Sequence, residues 1–211
     1  MSDKIYIIGA GGHGQVVIDA ILSSGLQVYG IFDDNESLIG KSIFQIPVLE
    51  KIEKVMEITD GEFVVAIGGN EIRMKIVKNL GFSDDKFYTV VHTSAVIGKN
   101  VEIGAGTMVL GGVVINTGTS IGRHCIINTS ASVDHHNEIG DFVHAAPGVH
   151  TGGNVTIGEG TFIGIGASII PGVKIGKWSI IGAGTVVIKD VPDYVTVVGV
   201  PGMVIKRRQG I

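Results

Sequence analysis

Apolar residues recur every six positions from Ile97 to Val187: Ile97, Ile103, Val109, Ile115, Ile121, Ile127, Val133, Ile139, Ala145, Thr151, Ile157, Ile163, Ile169, Ile175, Ile181 and Val187. Fourteen of these sixteen are Ile or Val. Glycine often follows, as at Gly98, Gly104, Gly122, Gly158 and Gly182, and the residue two before is small or short and branched, as at Ala95, Val101, Thr107 and Cys125. A period of six fits neither the 3.6-residue helix nor two-residue alternation and is the signature of a parallel β-helix. Branching at Cβ suits a pleated strand, and the glycine after each aliphatic residue is expected at a corner with positive φ. Three hexads per coil predict a repeat of about 18 residues and about five coils.

Ahead of the ladder the pattern changes. The run Lys4–Ile8 ends in Gly9-Ala10-Gly11-Gly12-His13-Gly14, followed by an amphipathic stretch from Gln15 that Gly25 stops. Val28–Phe32 reads as a second strand ending at Asp33-Asp34, and Phe63–Ile67 as a third, followed by Gly68-Gly69-Asn70 and a helix over Glu71–Leu80. A helix is expected near Ile52–Ile58, and Tyr88–Val91 reads as a fourth short strand leading into the repeats. Strands alternating with helices predict a small, Rossmann-like parallel α/β domain over residues 1–90, followed by the β-helix and a C-terminal cap over residues 91–211.

Composition narrows the function. Hydrophobic residues make up 45% of the 211, charged residues 17%, and mean hydropathy is positive, so the chain folds around an ample core. A net charge of −4 gives no footprint for nucleic acid, and Lys206-Arg207-Arg208 reads as a solvated tail. The one cysteine, Cys125, falls at an inward position and excludes a disulfide framework. The start, Met1-Ser2-Asp3-Lys4, carries no long apolar run, and no stretch approaches a membrane span, so a cytoplasmic protein is expected.

Two clusters carry chemistry. Gly9, Gly11 and Gly14 fit a G-x-G-x-x-G loop after a strand, and Asp33 follows at about the spacing of a ribose-binding acid. Such a loop lets an anion approach backbone N–H groups at a helix N-terminus. A domain of this size makes half of a two-lobed dinucleotide fold, so a pocket for one nucleotide is expected. The second cluster surrounds Ala145 and Thr151, the two ladder positions that are neither Ile nor Val: Asp134-His135-His136-Asn137-Glu138, then His144 and His150. With His124, five of seven histidines fall within 27 residues beside what reads as the single interruption of the repeat. His135 and His144 lie off the inward positions and are expected to face outward or sit at corners.

The ladder, the ending Asp190-Val191-Pro192-Asp193-Tyr194 with Val198-Gly199-Val200-Pro201-Gly202, and the segments GAGGHG, FDD, AIGGNEIR and DHHNEIGDFVH together resemble the sugar acetyltransferases built on a left-handed β-helix. These comprise the sialic acid O-acetyltransferases and the nucleotide-4-aminosugar N-acetyltransferases. The resemblance implies left-handed coils, a homotrimer with sites between neighbouring β-helices, and acetyl-CoA as co-substrate without a metal. It implies His135 as the catalytic histidine. The next residue in such relatives is acidic; here it is His136, leaving Asp134 or Glu138 to orient the base. It further implies that His144, Ile165 and Ala183 line the acetyl-CoA channel. Gly11, Gly12, His13, Asp33 and Asp34 would hold the nucleotide sugar, with Gly68 and Asn70 bordering it.

That chemistry suits the residues. An attacking amine must shed a proton, and histidine titrates near neutral pH. Backbone N–H groups beside Gly152-Gly153 could hold the oxyanion. The expected activity is transfer of acetyl from acetyl-CoA to the 4-amino group of a UDP-, GDP- or dTDP-linked sugar for surface glycan synthesis. Sialic acid O-acetylation is the alternative. A zinc hydrase of the γ-carbonic-anhydrase type would use the same β-helix but has no need of the α/β domain. A non-catalytic nucleotide-sugar sensor would have no use for a base beside a CoA channel.

Overall fold

The computed structural model describes residues 4–208 and 210. The chain opens with β1 (Ile5–Ile8), α1 (Gly12–Ser23), β2 (Val28–Phe32), β3 (Ser42–Ile43), β4 (Ile46–Glu50), β5 (Glu62–Val65) and α2 (Asn70–Leu80). The sheet order is β3-β4-β2-β1-β5, parallel except for β3. The order reverses beside β1, so the loops after β1 and β5 flank the crevice where open α/β sheets bind ligands. Two expectations change here. A hairpin, β3–β4, joins the sheet edge; its turn residues Phe44 and Gln45 both have positive φ, a geometry that Asn-Gly would have signalled and Phe-Gln did not. The helix expected near Ile52–Ile58 is a 3₁₀ segment, Ile52–Glu57.

Val90–Val91 (β6) does not extend that sheet. It starts the first wall of a three-walled prism of two-residue parallel strands. Wall A stacks β6, Met108–Val109, Ile126–Ile127, His144–Ala145, Phe162–Ile163 and Ile180–Ile181. Wall B stacks Val96–Ile97, Val114–Ile115, Ser132–Val133, His150–Thr151, Ser168–Ile169 and Val186–Val187. Wall C stacks Glu102–Ile103, Ser120–Ile121, Glu138–Ile139, Thr156–Ile157 and Lys174–Ile175. Ladder residues occupy the second position of each strand, and those from Val109 to Val187 other than Thr151 pack with Cys125 into one buried core. Burial pushes the Cys125 thiol up to about 12, so it is an inert core residue.

Two readings of the ladder need correction. Its backbone is not interrupted: Ala145 pairs with Ile127 and Ile163, and Thr151 with Val133 and Ile169, in unbroken register. The lapse is chemical only. Nor do the glycines after the aliphatic residues supply positive φ; the left-handed residues stand two places further on, at Gly106, Gly118, His124, His136, Phe142, Gly160 and Trp178 among others. The earlier glycines are needed because the next coil lies directly against them. A Cβ on Gly104 would sit 2.6 Å from the carbonyl carbon of Gly122, and one on Gly158 2.5 Å from the nitrogen of Lys177.

The α/β domain docks on wall A. Met108, Leu110 and Ile126 share a buried cluster with Val17, Ile18 and Ile21 of α1. Past the last coil, Val195–Val198 pairs with Ile181 on wall A, and Met203–Arg207 returns antiparallel beside it. Lys206 and Arg207 therefore end an exposed strand and remain solvated, whereas Arg208, just past it, bonds the carbonyl of Trp178 and the carboxylate of Glu71. No helix among the described residues is long and apolar enough to cross a membrane.

Candidate active site

The glycine loop divides its labour. Gly9 has φ +111°, and a Cβ on Gly14 would collide with the Gly9 carbonyl, so these two serve the tight strand-to-helix passage. Gly11 and Gly12 face open space, which is what a ligand approaching the start of α1 requires. Asp33 is partly committed: its Oδ2 accepts the N–H of Ala10 at 2.7 Å, bracing the loop, and its Oδ1 accepts the N–H of Asn35 at 2.8 Å. Asp34 accepts the N–H of Ile52 at 3.0 Å and borders a cavity of about 380 Å³ between the 3₁₀ segment and α2.

His13 is turned inward against the second loop, its Cβ 4.0 Å from the position a Cβ on Gly68 would take. Its ring lies 6.1 Å from that of His144. Burial, with Arg73 nearby, pulls the His13 imidazole down to about 4, and its buried Nε2 has no hydrogen-bond partner. His144 does project outward from wall A, but the docked domain covers it, leaving 8% exposed. Its Nδ1 lies 3.1 Å from the Gly68 carbonyl, which can only accept, so Nδ1 carries the proton. Nε2 then accepts from the Asn128 amide at 3.1 Å. Burial, and then Arg73, pull this imidazole down to about 3.

The junction is held by Arg73, which the sequence reading passed over. The side chain is fully buried. Its Nε donates to the His124 carbonyl at 2.8 Å, and its NH groups to the carbonyls of Ile67 (2.7 Å), Gly68 (3.4 Å) and Phe142 (3.0 Å) and to Asn70 Oδ1 (3.0 Å). Asn70 in turn donates to the carbonyls of Gly160 and Thr161. Gly68 and Asn70 line a cavity of about 350 Å³ with Ile72, Phe162 and Trp178, but the Asn70 amide belongs to the junction rather than to a ligand. An arginine three residues after Asn70 in a helix start was the available signal.

The five histidines do not assemble. His124 is buried between Phe87 and Phe142, with its imidazole pulled down to about 4 by burial first, and His150 bonds Ser132 on wall B. Only His135 and His136 meet, Nδ1 to Nδ1 at 3.0 Å, exposed on the corner between walls B and C. Neither expected carboxylate orients the His135 ring. Asp134 Oδ1 accepts the backbone N–H of His135 and the Asn116 amide, both at 2.8 Å, bonds that hold its carboxyl below the usual range. Glu138 stands exposed on wall C. Beneath the turn, buried Asn137 donates to the carbonyls of Asp134 (2.6 Å) and Gly152 (3.0 Å), Thr119 donates to Asp134 O (2.7 Å), and the hydroxyl of Thr151 accepts from Asp134 N (3.3 Å). The Thr151 lapse thus serves this turn. Asn137, where the neighbouring inward sites carry Ala, Val, Thr or Cys, was legible as an oddity and was missed.

Gly153 lies one coil above His135, and a Cβ there would sit 2.5 Å from His135 Nε2. Ile165 and Ala183 are exposed and stacked at the corner between walls A and B, with Gly184 N–H donating to Ile165 O. One chain therefore does not unite the expected residues: His135 and Gly153 occupy one corner, Ile165 and Ala183 another, and His144 with the glycine loop the covered face of wall A. Among the described residues no three His, Cys, Asp or Glu side chains are grouped to hold a metal ion.

Residues 4–80 match the PglD N-terminal domain, and residues 154–189 match the bacterial transferase hexapeptide (six repeats). The crystal structure of a histidine-to-asparagine mutant of perosamine N-acetyltransferase from Caulobacter crescentus, in complex with CoA and GDP-perosamine, is 36% identical, covering 99% of this chain and 97% of that one, with a TM-score of 0.87. This chain belongs to the hexapeptide-repeat sugar N-acetyltransferase family, with its small parallel α/β domain and left-handed β-helix. Another family structure, the acetyltransferase domain of PglB from Neisseria gonorrhoeae FA1090 in complex with acetyl coenzyme A, is 33% identical over 97% of this chain and 100% of that one, with a TM-score of 0.90. The UDP-N-acetylbacillosamine N-acetyltransferase of Bacillus subtilis (strain 168) is 39% identical over 110 residues, and the match spans 51% of its length.

Proposed function

We propose that this family member transfers an acetyl group from acetyl-CoA to the 4-amino group of a nucleotide-linked amino sugar. The observation that carries the reading is full-length likeness to an enzyme whose structure holds CoA and GDP-perosamine, together with an exposed histidine on a rigid, side-chain-pinned turn. His135 Nε2 takes the amine proton as the nitrogen attacks the thioester carbon. The tetrahedral intermediate collapses, the C–S bond breaks, and the proton passes to the CoA sulfur. The thiolate leaves readily, so no covalent enzyme intermediate is needed.

Gly11, Gly12 and His13 receive the nucleotide sugar, and the cavity beside Asp34 takes its base. Ile165 and Ala183 form an exposed edge for the pantetheine arm. Because His135 and the glycine loop lie on different faces of one chain, the site is completed between copies, consistent with a trimer. The deciding experiment is thiol release from acetyl-CoA with UDP-, GDP- and dTDP-linked 4-amino sugars and with sialic acid. Turnover of one 4-amino sugar is expected; turnover of sialic acid alone overturns the reading.

A further inference from the structure

His135 and His136 face each other through like nitrogens, with the ring planes 77° apart. A neutral imidazole Nδ1 either donates or accepts, so the 3.0 Å contact requires one proton between two atoms. If His136 donates, His135 carries its own proton on Nε2 and cannot act there as a base. If His135 donates, its Nε2 lone pair is bare.

We propose that His136 is a positioning residue that accepts the Nδ1 proton of His135, filling with a neutral imidazole the place a carboxylate could hold and keeping His135 Nε2 free for the attacking amine. The proposal rests on the acetyltransferase reading. The pair is cleared for by the neighbouring coils. Gly118 below would carry a Cβ 2.9 Å from His136 Cδ2, and Gly153 above one 2.5 Å from His135 Nε2. His136 has φ +54°, a left-handed conformation in which histidine is tolerated better than most bulky residues. The available carboxylate is otherwise engaged, since Asp134 binds backbone and Asn116. The charged or titratable groups on the surrounding elements are Asp134 on the same turn, Glu138 on the following strand, His150 on the wall-B strand of the coil above, where it bonds Ser132, and Lys99 two coils below; the corner of the coil above presents Gly153 and Asn154.

In the reaction the amine proton moves to His135 Nε2 and later to the CoA sulfur. Meanwhile the imidazolium donates from Nδ1 to the lone pair of His136, a charge-assisted hydrogen bond without an ion pair. The test compares His136→Phe, His136→Asn, His136→Asp and His135→Ala in the thiol-release assay, with ¹⁵N NMR of the ring nitrogens of the native protein. His136→Phe is expected to lower kcat about 10- to 100-fold with KM for both substrates nearly unchanged. His136→Asn, which suits the left-handed backbone and offers an acceptor oxygen, is expected to retain more, and His136→Asp to restore kcat and move the acidic limb of the pH–rate profile to higher pH. In native protein, His135 is expected protonated on Nδ1 and bare on Nε2. Full kcat in both His136→Phe and His136→Asn, or a proton on His135 Nε2, overturns the pairing. Should His135→Ala turn over normally, the acetyltransferase base is wrong as well; if it is dead while the His136 variants are not, only the pairing fails.

Discussion

His135 and His144 belong to the same stretch of repeat, half a coil apart, yet they became opposite kinds of histidine. His135 stands exposed on a corner that no other described element covers, on a turn pinned by Asn137, Thr119 and Thr151. His144 lies beneath the α/β domain, its proton fixed on Nδ1 by the Gly68 carbonyl and its basicity suppressed by burial and Arg73. The hexad pattern decides which wall carries a residue. Whether the residue is a working base or a neutral link is decided by what docks there.

The sharpest way to break this contrast is His135→Ala, expected to lower kcat by roughly two to four orders of magnitude; near-normal turnover would make the exposed histidine ordinary surface. Next is pH. His13, His124 and His144 are held well below their unfolded value of about 6.5, at about 4, 4 and 3. Below pH 6.5 the unfolded chain binds protons that the folded one refuses, so stability falls as pH drops toward 4 and is flat above about 7. The loss is on the order of several kcal/mol, read from denaturation midpoints across pH. A flat profile would mean the junction opens to admit the protons.

Arg73→Met comes third. It leaves carbonyls of His124 and Phe142 unpaired at a buried junction, at a cost of about 3 kcal/mol in unfolding free energy. It should also soften the acid profile, because Arg73 lowers all three histidines. The smallest effect is Gly153→Ala, whose Cβ would displace the His135 ring and reduce kcat about tenfold with stability little changed. Equal losses of kcat and stability there would assign the glycine to the scaffold instead.

The walls were legible because Ile and Val at a six-residue period have no other economical fold. Less was readable where a residue's meaning depends on a neighbour 18 positions or a whole domain away. Gly104 and Gly158 look like corner glycines in the sequence, but the need comes from the coil above. Thr151 looks like a break until Asp134 is seen bonding to it. Asp33 matches a ribose-binding acid by spacing, while its carboxylate braces the Ala10 N–H. His144 looked like surface because nothing local announces the domain that covers it, and Glu138, close to His135 in sequence, is carried away onto another wall.

The carbonyls of His124, Phe142, Gly160 and Trp178 occupy the same corner of four successive coils, and side chains from outside those coils count them off: Arg73 takes the first two, Asn70 the third and Arg208 the fourth. Adjacent strands in a sheet are about 4.8 Å apart, so the guanidinium spans one rung and the helix start the next. Docking is thereby indexed to absolute height along the prism. A coil inserted anywhere between His124 and Trp178 would put at least one of these donors out of step, and because Arg208 also bonds Glu71 of α2, the far end is tied to the α/β domain as well.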